Sequence, residues 1–294
     1  MFIAGIDGGG THTRIEVRDM ENQLLRRAEF GPFNLNSIGE AAFRALLQEV
    51  FAWCGGMEGC ARLCVGAAGI SNPMVGNILE QELKASGFAG VYYLCGDQEI
   101  ALRGAMDGPG IVVIAGTGSI CFGKNAAGKT VRSGGYGHLI DDGGSGYALG
   151  RDVLSCAVRA VDGRTEEGTG ILQEVCNCLG SGPEGIVPFV YSPKTDKAAI
   201  AQFARIALAR AEKSDREAWH ILQKEAEELA QMVAAVQKRL NMPKCRIALL
   251  GGLLTGRNPY RQAVAERLTY LGTVVSGKHD ALWGAAQMAW ELNR

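Results

Sequence analysis

Two stretches of this chain share one layout: an apolar strand, a tight glycine turn bearing hydroxyl side chains, and a second strand. The first is "FIAGIDGGGTHTRIEV", starting near residue 2, and the second is "IVVIAGTGSICFG", starting near 111. In the first, "FIAGID" (2–7) is a short apolar strand. After the glycines, Thr13, Ile15 and Val17 alternate with Arg14, Glu16 and Arg18, the period of a strand with one face on a core. In the second, "IVVIAG" (111–116) is continuously apolar, as in a strand buried on both faces. An internally duplicated strand–turn–strand unit points to two domains of related build. A length of 294 residues accommodates that.

The layout also removes a competing reading. A dinucleotide-binding glycine loop must open a helix, whereas the glycines at 8–10 join two strands. "LLRRAEF" (24–30) reads as a third strand. Further along, helices are expected at 39–53, 73–86 and 98–106, and strands at 62–69 and 91–97. Such alternation implies a partly parallel sheet. "DGPG" (107–110) reads as a domain junction, giving domains of 1–108 and 109–279. The final helix, 280–294 with its periodic part at 280–293, is expected to pack back on the first domain. Between lie a strand at 119–123, helices at 143–161, 166–178, 197–211 and 214–240, a strand at 245–250, a helix at 259–270 and a strand at 272–276.

"GKNAAGKT" (123–130) matches the phosphate-loop pattern G-x-x-x-x-G-K-[ST] letter for letter. A working loop of that kind needs a helix behind it, with its N-terminus facing the phosphates. Here "VRSGGYGHL" follows, and each of its glycines costs about 1 kcal/mol in a helix. The stretch reads instead as a hairpin tip with Lys129 solvated. Glycine is also abundant, 41 of 294 residues against a usual ~7%, so chance matches to glycine motifs are frequent.

Composition bounds the function class. Lys+Arg is 30 and Asp+Glu 31, for a net charge of -1. With no long basic run, neither nucleic acid nor an anionic membrane is an expected partner. The N-terminus has no signal-peptide pattern and no window reaches about 18 consecutive apolar residues. Nine cysteines at irregular spacing, without a CxxC, suggest reduced thiols and a cytoplasmic location. His12, His220 and His279 lack metal-ligand spacing, and His138 reads as structural.

Candidate chemistry collects where carboxylates meet glycine turns. Asp7 ends a strand and enters "DGGGT"; Asp97 ends a strand and enters a helix; Asp141 and Asp142 precede "GGSG". Bare turn N–H groups suit phosphate oxygens. Thr11, Thr117 and Ser119 can add hydroxyls, and carboxylates at strand ends can hold hydrated Mg²⁺ or remove a proton. Simpler roles stand beside these: Asp97 as a helix N-cap, Asp7 and Asn34 as turn residues, Asp141 as a solvated carboxylate, Tyr136 as packing.

In these residues the chain resembles the sugar kinase, actin and heat-shock-chaperone ATPase superfamily. Its strand-DxGGT-strand motif is matched by "GIDGGGTHTR", its strand-GTGS-strand motif by "VVIAGTGSICFG", and its strand-GG adenosine motif by "IALLGGLL". "GPFNLNSIG", "CGDQEIALRGA" and "GGYGHLIDDGGSGYALGR" resemble the branch of N-acetylglucosamine kinases and acyl-CoA dehydratase activators, the BadF/BadG/BcrA/BcrD ATPases, over nearly the whole chain. The resemblance implies an α/β protein of two ribonuclease H-like (actin-like ATPase) domains, each on a mixed sheet, with a nucleotide cleft between them. It implies ATP and Mg²⁺ as cofactors, with Asp7, Gly8, Gly9, Gly10 and Thr11 holding phosphate and Asp7 the metal through water. Gly116, Thr117, Gly118 and Ser119 meet phosphate from the other domain, and Gly251 and Gly252 approach the adenosine. Asp97 takes the proton from the sugar hydroxyl, and Asn34, Thr117, Tyr136, Gly137 and Asp142 contact the sugar.

The implied activity is ATP-dependent phosphorylation of an amino sugar, N-acetylglucosamine at its 6-hydroxyl ahead of glucosamine or a muramic-type sugar, which stay open; a homodimer is expected, with a small-molecule sugar as substrate and neither nucleic acid nor membrane as partner. Two alternatives remain: a dehydratase-activating ATPase, though "IVVIAGTGS" lacks that group's cluster cysteine and Cys121 follows it, and a non-catalytic nucleotide-binding regulator. In one place the chain departs from the branch, which reads glycine, aspartate, glutamate, glycine, serine at "DDGGS" (141–145). Asp142 keeps the aspartate, Gly143 stands at the glutamate, and Asp141 is an added carboxylate.

Overall fold

A computed structural model describes residues 1–70, 72–165 and 168–292. The chain divides into two compact units, Met1–Gly108 joined by the chain from Gly277 onward, and Pro109–Ser276. The first carries β1 (Phe2–Gly8), β2 (Thr13–Arg18), β3 (Leu24–Phe30), α1 (Leu35–Trp53), β4 (Cys60–Ala67), α2 (Pro73–Ala85), β5 (Val91–Gly96) and α3 (Asp97–Ala105). The second carries β6 (Gly110–Ala115), β7 (Ser119–Lys124), β8 (Thr130–Gly134), α4 (Gly146–Val161), α5 (Ile171–Leu179), a 3-10 turn (Pro183–Gly185) and α6 (Ile186–Val190). It continues with α7 (Lys197–Ala201), α8 (Ala204–Glu212), α9 (Arg216–Leu240), β9 (Cys245–Leu250), α10 (Pro259–Leu268) and β10 (Gly272–Val275). The chain then returns to the first unit with α11 (Ala281–Glu291). Gly277 to His279 go with the first unit because the N–H groups of Lys278 and His279 donate to the Ala105 and Gly104 carbonyls at 3.0 and 2.9 Å.

The two sheets have one topology. The first is ordered β3-β2-β1-β4-β5 and the second β8-β7-β6-β9-β10. In each, three strands meander antiparallel and the first of them continues into two parallel partners. The duplication therefore extends from the hairpin to the whole mixed sheet. In the first unit α1 and α2 cover one sheet face through Phe43, Leu47, Ile78 and Leu79, while α3 and α11 cover the other through Ile100, Ala285 and Ala289. Gly5 makes the α11 contact possible, since a Cβ there would lie 2.2 Å from the Ala286 nitrogen. In the second unit β6 is buried on both faces, as its apolar run predicts.

Local differences from the sequence reading have physical causes. The polar face of β2 is also covered: Glu16 is fully buried between Arg18 and Arg27, and the Arg18 guanidinium lies 5.7 Å from the Trp283 ring centre of α11. α1 starts at Leu35 rather than 39, its first turn capped by Asn34, and Gly39 (φ 79°) interrupts it. The helix expected at 197–211 is two, α7 and α8. Tight bonds from Phe203 N–H to Ile200 O and from Ile206 N–H to Phe203 O break it where the Ile200 carbonyl abuts Gly150 of α4. Of the helix expected at 166–178, Glu166 and Glu167 lie outside the described residues and α5 starts at Ile171. No helix follows Thr130; β7 and β8 form a hairpin, and the Lys129 ammonium donates to the Arg239 carbonyl at 3.2 Å near the end of α9. Among the described residues no helix is long and apolar enough to cross a membrane.

Candidate functional site

The carboxyl ends of parallel strands are where open α/β sheets take ligands, because the chain diverges there and leaves backbone groups uncovered. In the first unit the parallel register sets Asp7 beside Gly66 and Gly66 beside Cys95, then Gly8 beside Ala67 and Ala67 beside Gly96. Asp97 is the next residue, the first of α3. Asp7 and Asp97 thus stand at the same, carboxyl end of the parallel strands. The N-cap of α3 is Gly96, not Asp97; the Asp97 Oδ1 accepts instead from the Gln98 N–H at 3.0 Å. The simple capping role for Asp97 therefore does not apply.

Burial pushes the Asp97 carboxyl above its ordinary value, and the neighbouring Asp7 charge pushes it further. Burial also raises Asp7, against the pull of Arg14, whose guanidinium reaches Oδ2 at 2.5 Å. Arg14 extends to Asp280, the N-cap of α11, at 3.4 Å.

The turn after Asp7 is tied at its base. Gly9 N–H donates to His12 O at 2.9 Å, Phe33 N–H to Gly9 O at 2.9 Å, and Ala68 N–H to Gly8 O at 2.8 Å. Gly8 is buried with its missing Cβ facing the Phe33 ring, whereas Gly10 and Thr11 are exposed and a Cβ on Gly10 would meet nothing within 4 Å. The backbone of Gly10 is therefore uncovered. Asn34 caps α1, its Oδ1 accepting from Asn36 N–H at 3.2 Å, and Asn36 in turn accepts from Asn72 at 2.9 Å beside Gly69.

In the second unit the equivalent turn, Gly116–Gly118, closes with Gly116 N–H donating to Gly118 O at 2.9 Å. Its outer carbonyls are held by the start of α4: Gly146 N–H donates to Gly116 O at 2.8 Å and Tyr147 N–H to Thr117 O at 3.2 Å. The Ser119 hydroxyl is spent on Gly143 O at 2.6 Å, so it is not an available ligand donor, while Thr117 is exposed. Gly116 and Gly252 have open space where a Cβ would be. Gly251, at φ 90°, passes within 2.3 Å of the Ala115 carbonyl measured from a would-be Cβ, so only glycine fits.

Asp142 is 3% exposed and sits at φ 62°, a left-handed conformation that aspartate tolerates better than most residues. Its carboxylate lies beside Gly118. Burial raises its pKa, and the Ser119 N–H and the Lys197 charge oppose that. Tyr136 is exposed beneath the Arg132 guanidinium, 4.8 Å from the ring centre, and Gly137 takes φ 95°. Asp141 is not merely solvated: it accepts from the Tyr136 N–H at 3.1 Å and ties the loop together. His138 packs edge-on to Tyr147, ring centres 4.8 Å apart.

The first unit thus brings together Asp7, Gly8, Gly9, Gly10, Thr11 and Asp97, with Asn34 joined to that turn through Phe33. The second brings together Gly116–Ser119, Asp142 and Gly251–Gly252. Arg14 and Asp280 escaped the sequence reading. Arg14 was legible from hairpin register, which sets it opposite Asp7; Asp280 had only the helix-start pattern of an aspartate before "ALW". Among the described residues no group of three or more His, Cys, Asp or Glu could hold a metal. Asp7 fits Mg²⁺ held through water, which needs few protein oxygens.

Similarity to known proteins accords with this geometry. The chain is 32% identical to the N-acetylmuramic acid/N-acetylglucosamine kinase of Clostridium acetobutylicum over 98% of both chains. It is 29% identical to the N-acetyl-D-glucosamine kinase of Dictyostelium discoideum over 82% of this chain and 80% of that one. The solved structure of a candidate N-acetylglucosamine kinase from Chromobacterium violaceum superposes with a TM-score of 0.78 at 26% identity, covering 98% of each chain. The sequence pattern of the BadF/BadG/BcrA/BcrD ATPase family matches residues 4–289, and the chain belongs to that family.

Proposed function

We propose that this protein is an ATP-dependent kinase that phosphorylates an amino sugar, N-acetylglucosamine, at its 6-hydroxyl. The observation that carries the reading is a half-buried carboxylate, Asp97, its pKa raised by desolvation, at the same end of the parallel strands as Asp7 and an open glycine turn. The names of the amino-sugar kinases it is similar to support the choice of substrate.

Phosphoryl transfer asks little covalent work of a protein; it asks for placement, charge neutralisation and an oriented acceptor. Asp97 takes the proton from the sugar hydroxyl, and its raised pKa makes it a better base near neutral pH than an ordinary aspartate. On the first unit the Gly8–Thr11 turn offers N–H groups and a hydroxyl to phosphate, and Asp7 would hold Mg²⁺. The metal, when bound, neutralises charge on the phosphate oxygens. On the second unit Thr117 and the Gly116–Gly118 backbone receive phosphate, and Gly251 and Gly252 line the approach of the adenosine. Asn34, Tyr136, Gly137 and Asp142 orient the sugar. The enzyme acts in the cytoplasm as a homodimer.

The test is an ADP-release assay over hexoses, glucosamine, N-acetylglucosamine and N-acetylmuramic acid, with the product mapped by NMR. The expected result is sugar-stimulated ADP release, greatest with N-acetylglucosamine, with phosphate on its 6-oxygen. ADP release that no sugar stimulates would overturn the reading.

A further inference from the structure

The inner face of α9 carries Ala218, Ile221, Leu222, Glu225, Ala226 and Leu229, an apolar stripe with one carboxylate in it. Glu225 is 1% exposed. A charge buried at a core position is costly unless something specific holds it. What holds it is a set of partners: the Gly144 N–H donates to Glu225 Oε2 at 2.6 Å, the Asp152 carboxyl shares a side-chain hydrogen bond with it, and Lys224 and Arg151 approach Oε1 at 3.3 and 3.8 Å. From α10 the fully buried Tyr260 donates its hydroxyl to the Gly144 carbonyl at 2.7 Å. Both polar groups of one glycine are thus gripped by side chains from two helices. Gly144 itself has φ 79°, and a Cβ on it would lie 2.4 Å from Leu229.

The grip is transmitted to the Gly116–Ser119 turn. On one side of Gly144, the Gly143 carbonyl takes the Ser119 hydroxyl. On the other, Ser145 caps α4, and the next two N–H groups hold the Gly116 and Thr117 carbonyls. With those carbonyls fixed, the turn's peptide planes are fixed. Among the described residues no backbone carbonyl accepts from the N–H of Thr117 or Gly118. Two backbone donors are therefore left for an external anion.

We infer that Glu225 and Tyr260 are positioning residues for nucleotide phosphate: through Gly144 and the first turn of α4 they hold the Thr117 and Gly118 N–H groups where phosphate oxygens take them. The inference rests on the kinase reading, in which that turn meets phosphate. The test is calorimetric titration of the full chain with ADP, beside thermal melts, for wild type, Tyr260→Phe, Glu225→Ala and Glu225→Gln. Tyr260→Phe and Glu225→Ala weaken ADP binding about tenfold, equivalent to about 1.4 kcal/mol, well below the melting temperature of each. Glu225→Gln stays within about twofold of wild type, because its amide oxygen still accepts from Gly144, its amide N–H can donate to the Asp152 carboxylate, and the Lys224 and Arg151 pairs that it loses face solvent. A purely structural role would lower Tm and leave the ADP affinity of the folded protein unchanged; that result overturns the inference and leaves the kinase reading standing. Equal losses in Glu225→Gln and Glu225→Ala would also overturn it, by showing that charge and not the Gly144 bond matters. Failure of wild type to bind ADP would overturn both. Tyr260→Phe keeps the buried ring, so the test survives a Glu225→Ala chain that does not fold.

Discussion

Asp7 and Arg14 face each other across the first antiparallel pair, carboxylate to guanidinium at 2.5 Å, and Arg14 reaches on to Asp280 at 3.4 Å. The one carboxylate that enters the Gly8–Thr11 turn is therefore aimed by its own hairpin and tied to the start of α11. Arg14→Met should lower Tm, because it strips a counter-charge from a largely buried carboxylate. Arg14 is itself more than a third exposed, so the cost is discounted for screening to about 1 kcal/mol. Thermal melts of Arg14→Met, Asp7→Asn and the double variant test this. The double-variant cycle should show coupling, and additive losses would mean that the pair is not a working contact.

Asp97→Asn should separate chemistry from stability. As the base in the proposed reaction, its loss should lower kcat by about 10²–10⁴ while ADP binding persists. Its effect on folding has the opposite sign. The folded protein holds the Asp97 proton more tightly than the unfolded chain does, so stability falls as pH rises from the ordinary value of 3.8 through the raised folded value. Above that window the penalty is complete. Asparagine carries no such penalty, so Asp97→Asn should melt higher than wild type at pH 7, by roughly 2–4 °C for each kcal/mol relieved. The gain should vanish below pH 3.8. In wild type the acid limb of kcat/KM should lie above that value, since the base must be ionised. A variant that melts no higher at pH 7 would remove the buried-charge account of Asp97.

Lys129 belongs to a literal phosphate-loop match but stands at a hairpin turn, its ammonium on the Arg239 carbonyl near the end of α9. A cation there stabilises the helix end by about 0.3–1 kcal/mol. Lys129→Ala should cost a small fall in Tm and leave activity within about twofold. Thr117→Val should leave the fold intact and lower kcat/KM for ATP at least tenfold, on the order of one lost charge-assisted hydrogen bond. Steady-state kinetics on the two variants decide between the turns. Collapse of ATP use in Lys129→Ala would return the phosphates to 123–130.

Much of this was legible from local pattern. The β1–β2 and β6–β7 hairpins could be read because strand periodicity and glycine turns are short-range signals. Asp7 and Asp97 could be placed at strand ends for the same reason. Illegible features depended on distant partners. The burial of Glu16 required α11 to lie over β2. Gln202 and Phe203 have ordinary helix propensity; it is the crossing of α4 at Gly150 that coincides with the break between α7 and α8. Nothing local sets Glu225 apart from the other acids of α9, because its partner Gly144 is 81 residues away. Ser119 looked like a phosphate hydroxyl until Gly143 claimed it.

The glycines of the two turn regions should separate fold from function. Gly10 has an open surrounding and a backbone conformation outside the left-handed region, so a side chain there troubles no protein atom. Gly10→Val should melt within about 1 °C of wild type, yet raise the KM for ATP at least tenfold if phosphate oxygens approach that backbone. Gly251 is constrained twice, by φ 90° and by the Ala115 carbonyl 2.3 Å from a would-be Cβ. Gly251→Ala should therefore lose stability as well, by about 1–3 kcal/mol for the backbone alone, before any effect on nucleotide. Melting curves and ATP titrations on both variants give a two-by-two outcome. A Gly10→Val protein with wild-type ATP affinity would show that the first turn is glycine-rich for reasons other than phosphate.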